Sequence, residues 1–163
     1  MDSSSSREHG LPYGVVMVDV DSFKACNDHY GHLAGDRVLA GVAEALKENL
    51  RQGDQVFRYG GEELIALLPR ISRAHVLAAS ERLRGAVQAL GIEHCRSDHG
   101  QVTISLGAAH FVPASSPETS WTEVVARADE ALYRAKRMGR NRVEAAFDPG
   151  NSSGGSPAGP RGP

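Results

Sequence analysis

The chain of 163 residues has no long hydrophobic segment and almost no excess of charge of either sign. An apolar run near its start, Val15 to Val18, ends at Asp19 and is far too short to cross a bilayer. No charged segment followed by an apolar one opens the chain, so a secretory signal is not predicted. Lys and Arg number 18 against 20 for Asp and Glu, and a net charge of -2 does not favour nucleic acid as a partner.

Cysteine is scarce as well. Cys26 and Cys95 lie far apart and follow no metal-binding or redox spacing, which is typical of proteins from a reducing compartment. No internal repeat is visible in the sequence. These features together predict a small cytoplasmic domain with no membrane segment and no need for disulfides.

The two ends of the chain differ in composition from its middle. Residues 1–10 include a run of serines, and residues 149–163 are almost all Gly, Pro and Ser. Such segments bury too little apolar surface to offset the entropy lost on ordering, so both are predicted to be disordered. One domain is expected over residues 11–148, and roughly 140 residues are enough to form a single core.

Hydrophobic periodicity predicts the element order β-α-β-β-α-β-α-β. The first predicted strand ends with an acidic residue. A polar stretch, Phe23 to Ala34, separates this strand from a helix that begins near Asp36. The Gly60-Gly61 pair lies between two strand-like runs and is typical of a tight hairpin with positive φ angles. The predicted elements are strands at Gly14 to Val20, Gln55 to Leu68 (a hairpin), Val102 to Leu106 and Arg142 to Phe147, with further helices after Ser72 and from Trp121 to Met138 before Gly139. This order predicts an α+β fold whose middle is ferredoxin-like, with helices on one face of an antiparallel sheet.

Two acidic clusters are candidates for chemistry. Asp19 and Asp21 lie at the end of the first strand, and Glu62 and Glu63 follow the hairpin turn. If these strands are neighbours, three or four carboxylates meet at one rim, where like charges are costly unless a cation joins them. Oxygen ligands of this kind favour Mg²⁺ or Mn²⁺ over zinc. Taken singly, however, each acid is more typical of a solvated loop side chain.

Three stretches of sequence place these acids in a larger pattern. They are Asp19 to Asp36 (DVDSFKACNDHYGHLAGD), Arg58 to Leu64 (RYGGEEL) and Ala128 to Arg142 (ADEALYRAKRMGRNR). Together they closely resemble the GGDEF family of diguanylate cyclases, and the resemblance covers about Gly10 to Phe147. Members of that family condense two GTP into cyclic di-GMP and pyrophosphate. The resemblance implies a palm-type nucleotide cyclase fold, with helices packed on the faces of an antiparallel sheet.

The resemblance also implies a metal-dependent catalytic centre. Asp19, Glu62 and the carbonyl of Val20 match the family's Mg²⁺ ligands, and Glu63 belongs with Asp19 and Glu62 among the catalytic acids. The metal neutralises triphosphate charge and lowers the pKa of the attacking ribose 3′-hydroxyl. In this family two GTP-loaded subunits face each other across a two-fold axis, so a homodimer is implied.

Further matches concern the substrate. Asn27 and Asp36 match the residues that recognise guanine, and a carboxylate can accept from guanine N1–H and the 2-amine, a pattern that adenine lacks. Lys24, Lys136 and Arg140 match cations that bind the triphosphate, and the last two are four residues apart, which predicts one shared helix face. Asp36 at a helix start and basic residues at a helix end would also complement the helix dipole, and the two roles are compatible.

A second nucleotide site is implied by Arg51 and Asp54. This Arg-x-x-Asp stretch precedes Gly60 at the offset of the family's product-inhibition site, and Arg82 lies where the family places a further product-binding arginine. An arginine can stack on a guanine face and donate to its acceptors, while an aspartate accepts from the base edge. Cyclic di-GMP is therefore the expected ligand, acting as an inhibitor.

The sequence departs from the family in two places. Leu64 replaces the phenylalanine that ends the usual motif; the position is expected to face the core, at a packing cost of about 1 kcal/mol. Upstream, only Arg7 to Pro12 precedes the first strand, where the family has a helix and an Asp-x-Leu-Thr-Gly-Leu-x-Asn-Arg motif. Without that helix, we expect apolar sheet surface to be exposed, which favours low stability, aggregation or a partner.

The leading hypothesis is a diguanylate cyclase, because Asp19, Glu62 and Glu63 are all retained. Two alternatives remain open. The first is an impaired domain that binds cyclic di-GMP through Arg51 and Asp54, or GTP at the old active site. The second is an interaction fragment that cannot fold alone. A related nucleotidyl cyclase or palm polymerase is less favoured, because the guanine-binding pair and the Arg-x-x-Asp offset would then be coincidences.

Overall fold

Short apolar strands alternate with amphipathic helices within residues 10–147, the part of the chain that this computed structural model describes. Five strands and four helices occur in that range. They are β1 (Tyr13–Val20), α1 (Phe23–Tyr30), α2 (His32–Glu48), β2 (Gln55–Arg58), β3 (Glu63–Pro69), α3 (Arg73–Ala89), β4 (Ile104–Phe111), α4 (Trp121–Arg137) and β5 (Val143–Ala145). The predicted disordered ends lie outside the described residues, apart from residue 10.

The strands form one sheet in the order β2-β3-β1-β4-β5. β1 lies at its centre and pairs antiparallel with both β3 and β4, while β2 pairs antiparallel with β3. β5 pairs parallel with β4, because α4 runs between them and returns the chain to the same end of the sheet. The α+β class is confirmed, but the sheet is mixed rather than antiparallel throughout.

Alternate residues of β1 enter two different cores, because successive side chains of a strand point to opposite faces. Val16 and Val18 pack with residues of α1, α2 and α3. Val15 and Met17 pack with residues of α4 on the other face. The family resemblance implied helices on both faces of the sheet, and this is confirmed. The predicted ferredoxin-like arrangement, with helices on one face, describes only the side that holds α1, α2 and α3.

The polar stretch after β1 is itself a helix, α1, which the periodicity did not predict. Phe23 and Cys26 are its buried residues, and a single pair of buried positions in eight residues gives too short a helical pattern to detect. Gly31, with φ of 94°, separates α1 from α2, which begins at His32 rather than near Asp36. This short helix holds the end of β1 in place and carries two candidate site residues.

The expected exposure of apolar sheet surface is not found on β1 and β3. Met17 is completely buried, and Ile65 and Leu67 are 1% and 2% exposed, although all three face the side of the sheet that α4 covers. Among the large apolar side chains in the described strands, Phe57 of the edge strand β2 is the exposed one, at 38%. The predicted exposure of apolar sheet surface is therefore wrong for β1 and β3.

α4 lies unusually close to the sheet at Gly107 of β4. A Cβ atom at this glycine would lie 2.1 Å from the carbonyl oxygen of Ala128 and 2.2 Å from the backbone nitrogen of Leu132. Both are backbone atoms of α4, which no change of rotamer can move. The absence of a side chain at position 107 therefore sets the position of the helix that carries Lys136.

Candidate active site

The end of β1 and the β2–β3 hairpin meet at one rim of the sheet. Asp19 is paired in register with Glu63, and Glu62 precedes Glu63 in the turn. The turn is closed by bonds from the backbone nitrogens of Tyr59 and Gly60 to the Glu63 carbonyl, at 2.9 and 3.3 Å. The predicted juxtaposition of the two acidic segments is confirmed.

The hairpin turn differs from the predicted one in its backbone conformation. Four residues separate β2 from β3, and neither Gly60 nor Gly61 has a positive φ, so this is not the two-residue turn expected from a Gly-Gly pair. Arg58 stabilises the turn instead, because its guanidinium donates to the Gly61 carbonyl from Nε at 3.1 Å and Nη2 at 2.6 Å. The longer turn leaves Glu62 only half-buried.

Asp19 is buried, and its two carboxylate oxygens have different surroundings. Oδ2 forms an ion pair with the Lys136 ammonium, which reaches over from α4. Oδ1 is also buried and has no hydrogen-bond partner among the described residues. Burial raises the pKa of Asp19 to about 6; Lys136 opposes the rise, and the negative charges of Glu62 and Glu63 add to it.

Asp19, Glu62 and Glu63 share the rim, but their carboxylates do not converge on one point. Within residues 10–147, no group of three or more acidic, histidine or cysteine side chains is close enough to enclose a metal ion. The Lys136 ammonium supplies the positive charge beside Asp19. An orphaned buried oxygen on Asp19, with acidic neighbours that raise its pKa, nevertheless suits a hard divalent cation, so Asp19, Glu62 and the Val20 carbonyl fit Mg²⁺ by donor type.

Asp21 does not belong to the acidic cluster. It is buried and accepts hydrogen bonds from Thr103 Oγ1 at 2.7 Å, Ser105 Oγ at 2.5 Å and the backbone nitrogen of Asn141 at 3.0 Å. Its carboxylate thus ties the end of β1 to β4 and to the segment after α4. The alternating Thr103 and Ser105 of a half-buried strand were the available sequence signal for this role.

The segment after α4 holds Arg140 in a strained conformation. Arg140 and Asn141 have φ of 63° and 47°, a region that residues other than glycine rarely adopt. Asn141 is fixed by Asp21 and by Arg84, whose Nη1 donates to its side-chain oxygen at 2.9 Å. Because α4 ends at Arg137, Arg140 lies beyond the helix and is exposed, and the predicted helical face shared by Lys136 and Arg140 is wrong.

Three candidate substrate residues lie on α1 and α2. Asn27 on α1 has a buried side-chain oxygen, Oδ1, with no hydrogen-bond partner in the described part of the chain. Asp36 on α2 is exposed and lines a cavity of about 420 Å³ together with residues that include Leu39 and Leu64. Lys24 points to the surface of α1, where its ammonium lies 3.3 Å from Asp28 Oδ2. Leu64 is buried, as expected.

The three candidate residues for product binding surround the loop after α2. Arg51 Nη2 lies 2.9 Å from Asp54 Oδ1, and the Arg51 backbone nitrogen donates to Asp54 Oδ2 at 2.8 Å. Arg82 of α3 reaches the same loop and donates from Nε to the Asn49 carbonyl at 3.0 Å. A second cavity of about 420 Å³ opens beside them, lined by Arg51 and Asp54 as well as by Lys47, Leu50, Gln55, Val56 and Phe57.

Two acidic segments thus meet at one rim of the sheet, with Lys136 of α4 beside Asp19. Comparison with known families gives the family directly. The family model for the diguanylate cyclase GGDEF domain matches residues 2–142. The chain belongs to the GGDEF domain family.

The chain is also similar in sequence to individual diguanylate cyclases. The chain is 41% identical over 135 residues to the diguanylate cyclase DosC of Escherichia coli K12, covering 83% of this chain and 28% of the relative. It is 43% identical over 134 residues to the diguanylate cyclase DgcM of the same strain, covering 82% and 31%. The chain therefore spans less than a third of the length of these two relatives.

Solved structures confirm the fold. The GGDEF domain of DgcB from Caulobacter crescentus, solved in complex with c-di-GMP, matches with a TM-score of 0.78 and 35% identity, over 90% of this chain and 82% of that one. The active GGEEF domain of a diguanylate cyclase from Vibrio cholerae matches with a TM-score of 0.71 and 25% identity, over 90% of each chain. In the described part of this chain, no helix has the length and apolar character to span a bilayer.

Proposed function

We propose that this domain is the catalytic domain of a diguanylate cyclase, which joins two GTP molecules into cyclic di-GMP and releases two pyrophosphates. The observation that carries the proposal is the position of Asp19. Its buried, partnerless Oδ1 lies at the rim where Glu62 and Glu63 meet β1, in a chain that belongs to the GGDEF family.

In this proposal Asp19, the Val20 carbonyl and Glu62 hold Mg²⁺. When bound, the cation neutralises triphosphate charge and lowers the pKa of the ribose 3′-hydroxyl that attacks the α-phosphate. Asp19 must be ionised for this role, and its ion pair with Lys136 favours the ionised form in the metal-free protein. Lys136, together with Arg140 and Lys24, then donates to the phosphate oxygens.

Asp36 and Asn27 select the base in the same proposal. The Asp36 carboxylate opens into the cavity beside α2 and accepts from guanine N1–H and the 2-amine. Adenine presents no such pair of donors and leaves the Asp36 carboxylate without these hydrogen bonds. Guanine is therefore the base that these residues recognise.

Each domain holds one GTP, so the reaction needs two copies of the domain facing each other as a homodimer. Each 3′-oxygen attacks the α-phosphate of the nucleotide on the opposite copy, and both P–O bonds to pyrophosphate break. The exposed position of Arg140 and the half-buried position of Glu62 at the rim support a centre that is open to a second copy.

A binding function without catalysis is the second candidate. The observation that favours it is the preformed pair of Arg51 and Asp54 beside a cavity, which needs neither metal nor the acidic rim. Such a domain would bind cyclic di-GMP and make none.

Incubation of the purified domain with GTP and Mg²⁺, followed by chromatography, tests the two candidates. The cyclase forms cyclic di-GMP and pyrophosphate, and chelation of the metal by EDTA stops the reaction. Saturable binding of cyclic di-GMP without any product from GTP would contradict the cyclase and support the receptor.

Product inhibition gives a prediction for Arg51. In the Arg51→Ala variant, we expect the cyclic di-GMP concentration that halves turnover to rise by about tenfold or more, because a charged hydrogen-bond donor and a stacking surface are lost. Turnover in the absence of product stays close to that of the wild type. Arg127→Ala is the matched control, since Arg127 is an exposed arginine on α4. Equal inhibition of both variants would contradict the proposed site.

The pKa of Asp19 predicts how metal binding depends on pH. A pKa raised from 3.8 to about 6 means that folding disfavours the ionised carboxyl, so this group lowers the stability of the metal-free protein as the pH rises from about 4 to 6. Mg²⁺ requires the ionised form and offsets this loss above pH 6. We therefore expect Mg²⁺ to raise the melting temperature at pH 7.5 but not at pH 5.

Calorimetric melting with and without Mg²⁺ at the two pH values measures this difference. The Asp19→Asn variant is the control, because it cannot ionise and so loses the pH dependence of the Mg²⁺ effect. An equal rise in melting temperature at pH 5 and pH 7.5 would show that Mg²⁺ binds elsewhere.

A further inference from the structure

Gly35 of α2 lies directly against the side chain of Asn27 in α1. A Cβ atom at Gly35 would lie 1.6 Å from Asn27 Oδ1 and 2.8 Å from its Cγ, closer than real side chains approach. It would also lie 3.3 Å from Cζ of Phe23. The two helices therefore leave room for the Asn27 amide only because position 35 has no side chain.

Backbone conformation does not explain this glycine. Gly35 is buried within α2, and its φ is not among the positive values of the described residues. Within a helix, glycine is less favourable than alanine because it loses more conformational entropy. Gly35 therefore lowers the stability of α2 without being needed for a turn. We take the space that it leaves for the Asn27 side chain as the reason for a glycine at this position.

The Asn27 amide held in this space has an unused acceptor. Its Oδ1 is buried, and within residues 10–147 no group donates a hydrogen bond to it. Because this oxygen faces Gly35 and is closed to solvent, the space at position 35 fixes the orientation of the whole Asn27 amide group.

We propose that Gly35 is a positioning residue for guanine recognition, which acts by leaving the space into which the Asn27 amide packs and so holding that side chain in place for the base. The inference rests on the proposed GTP site and extends it to a residue that does not touch the nucleotide. The expected consequence is that a methyl group at position 35 displaces Asn27 and weakens GTP binding, while the distant product site is unaffected.

Gly41 provides a matched control in the same helix. A Cβ atom there would have one neighbour within 4 Å among the described atoms, Cδ1 of Ile92 at 3.9 Å, which is an ordinary contact. Gly35→Ala and Gly41→Ala gain the same helix propensity, so the two variants differ mainly in the collision with Asn27, with a lesser contact to Phe23 Cζ at 3.3 Å.

Titration with α,β-methylene-GTP, which lacks the scissile P–O bond, measures binding without turnover. We expect Gly35→Ala to bind this probe about tenfold more weakly than the wild type, a change of about 1.4 kcal/mol, and Gly41→Ala to bind within about twofold. Binding of cyclic di-GMP at Arg51 and Asp54 stays unchanged in both. In the Asn27→Ala background, Gly35→Ala causes no further loss, because the colliding amide is absent.

Equal binding of the probe by wild type and Gly35→Ala would overturn the inference, as would an equal additional loss in the Asn27→Ala background. If Gly35→Ala does not fold, the Asn27→Ala/Gly35→Ala protein is expected to fold, and failure of both to fold would overturn the inference too. A wild-type domain that binds no α,β-methylene-GTP would overturn the proposed function, and the inference with it.

Discussion

Replacement of Gly107 by alanine is expected to lower the free energy of unfolding by about 3 kcal/mol or more, at the upper end of the cost of overpacking a core. The added Cβ would lie within 2.3 Å of two backbone atoms of α4, the Ala128 oxygen and the Leu132 nitrogen. Because neither atom can rotate away, the whole helix must move outward from the sheet. For a domain of this size we expect the melting temperature to fall by roughly 10 °C or more.

Thermal unfolding followed by circular dichroism measures this loss. Gly85→Ala in α3 is the matched control, since a Cβ atom there would meet no described atom within 4 Å. This control is expected to be slightly more stable than the wild type, by about 0.5–1 kcal/mol, because alanine favours the helix. A Gly107→Ala domain that melts within 2 °C of the wild type, on the order of 0.5 kcal/mol, would show that α4 packs less tightly than the structure indicates.

The effect of Gly107 on the active site runs through α4. Lys136, near the end of that helix, forms the ion pair with Asp19, and Leu132 lies one turn before it on the sheet side. A helix pushed outward would separate the ammonium from the carboxylate and remove the contribution that lowers the Asp19 pKa. The close approach at Gly107 thus positions a charge at the rim as well as stabilising the core.

Most strands and long helices could be predicted because their signals are local, although β4 runs from Ile104 to Phe111 rather than from Val102 to Leu106. β1 and β3 are short apolar runs, and α3 and α4 show apolar residues at helical spacing, each with a serine at its start. Ser72 accepts a bond from the backbone nitrogen of His75, and Ser120, for which no cap was predicted, accepts one from that of Glu123. The neighbouring positions of Asp19 and Glu63 followed from one assumption, that the first strand and the hairpin are adjacent, and the register confirms it.

Asp21 could not be assigned from the sequence because its partners are distant along the chain. Thr103 and Ser105 lie more than 80 residues away and Asn141 lies 120 residues away, so only the fold brings them together. As an acid two residues after Asp19, Asp21 suggested a metal ligand by spacing alone. The structure shows otherwise, since three donors, Thr103, Ser105 and Asn141, satisfy the Asp21 carboxylate without a cation.

Arg140 shows how two local signals can conflict. Gly139 was predicted to end α4, and its φ of 126° beyond the cap at Met138 confirms the stop. The same stop removes Arg140 from the helix, although its spacing from Lys136 suggested a shared face. A termination signal takes precedence over periodicity, because residues past the stop no longer follow the helical repeat.

Replacement of Glu62 by alanine is expected to reduce the formation of cyclic di-GMP by about 1,000-fold, equivalent to about 4 kcal/mol of lost transition-state stabilisation. Glu62 is the proposed metal ligand on the hairpin side of the rim, and its loss leaves Asp19 and the Val20 carbonyl as the protein's share of the metal shell. The melting temperature without metal should not fall, because the Glu62 charge raises the pKa of Asp19 and its removal relieves like-charge repulsion.

The separation of activity from stability distinguishes a catalytic acid from a structural one. Turnover of GTP with Mg²⁺, thermal unfolding without metal and binding of cyclic di-GMP should be measured on the same preparation, with Glu118→Ala as the control for an exposed glutamate outside the rim. The control retains all three properties, whereas Glu62→Ala loses the first and keeps the other two. Turnover by Glu62→Ala within tenfold of the wild type would remove Glu62 from the proposed metal shell, since a lost ligand costs more than about 1.4 kcal/mol.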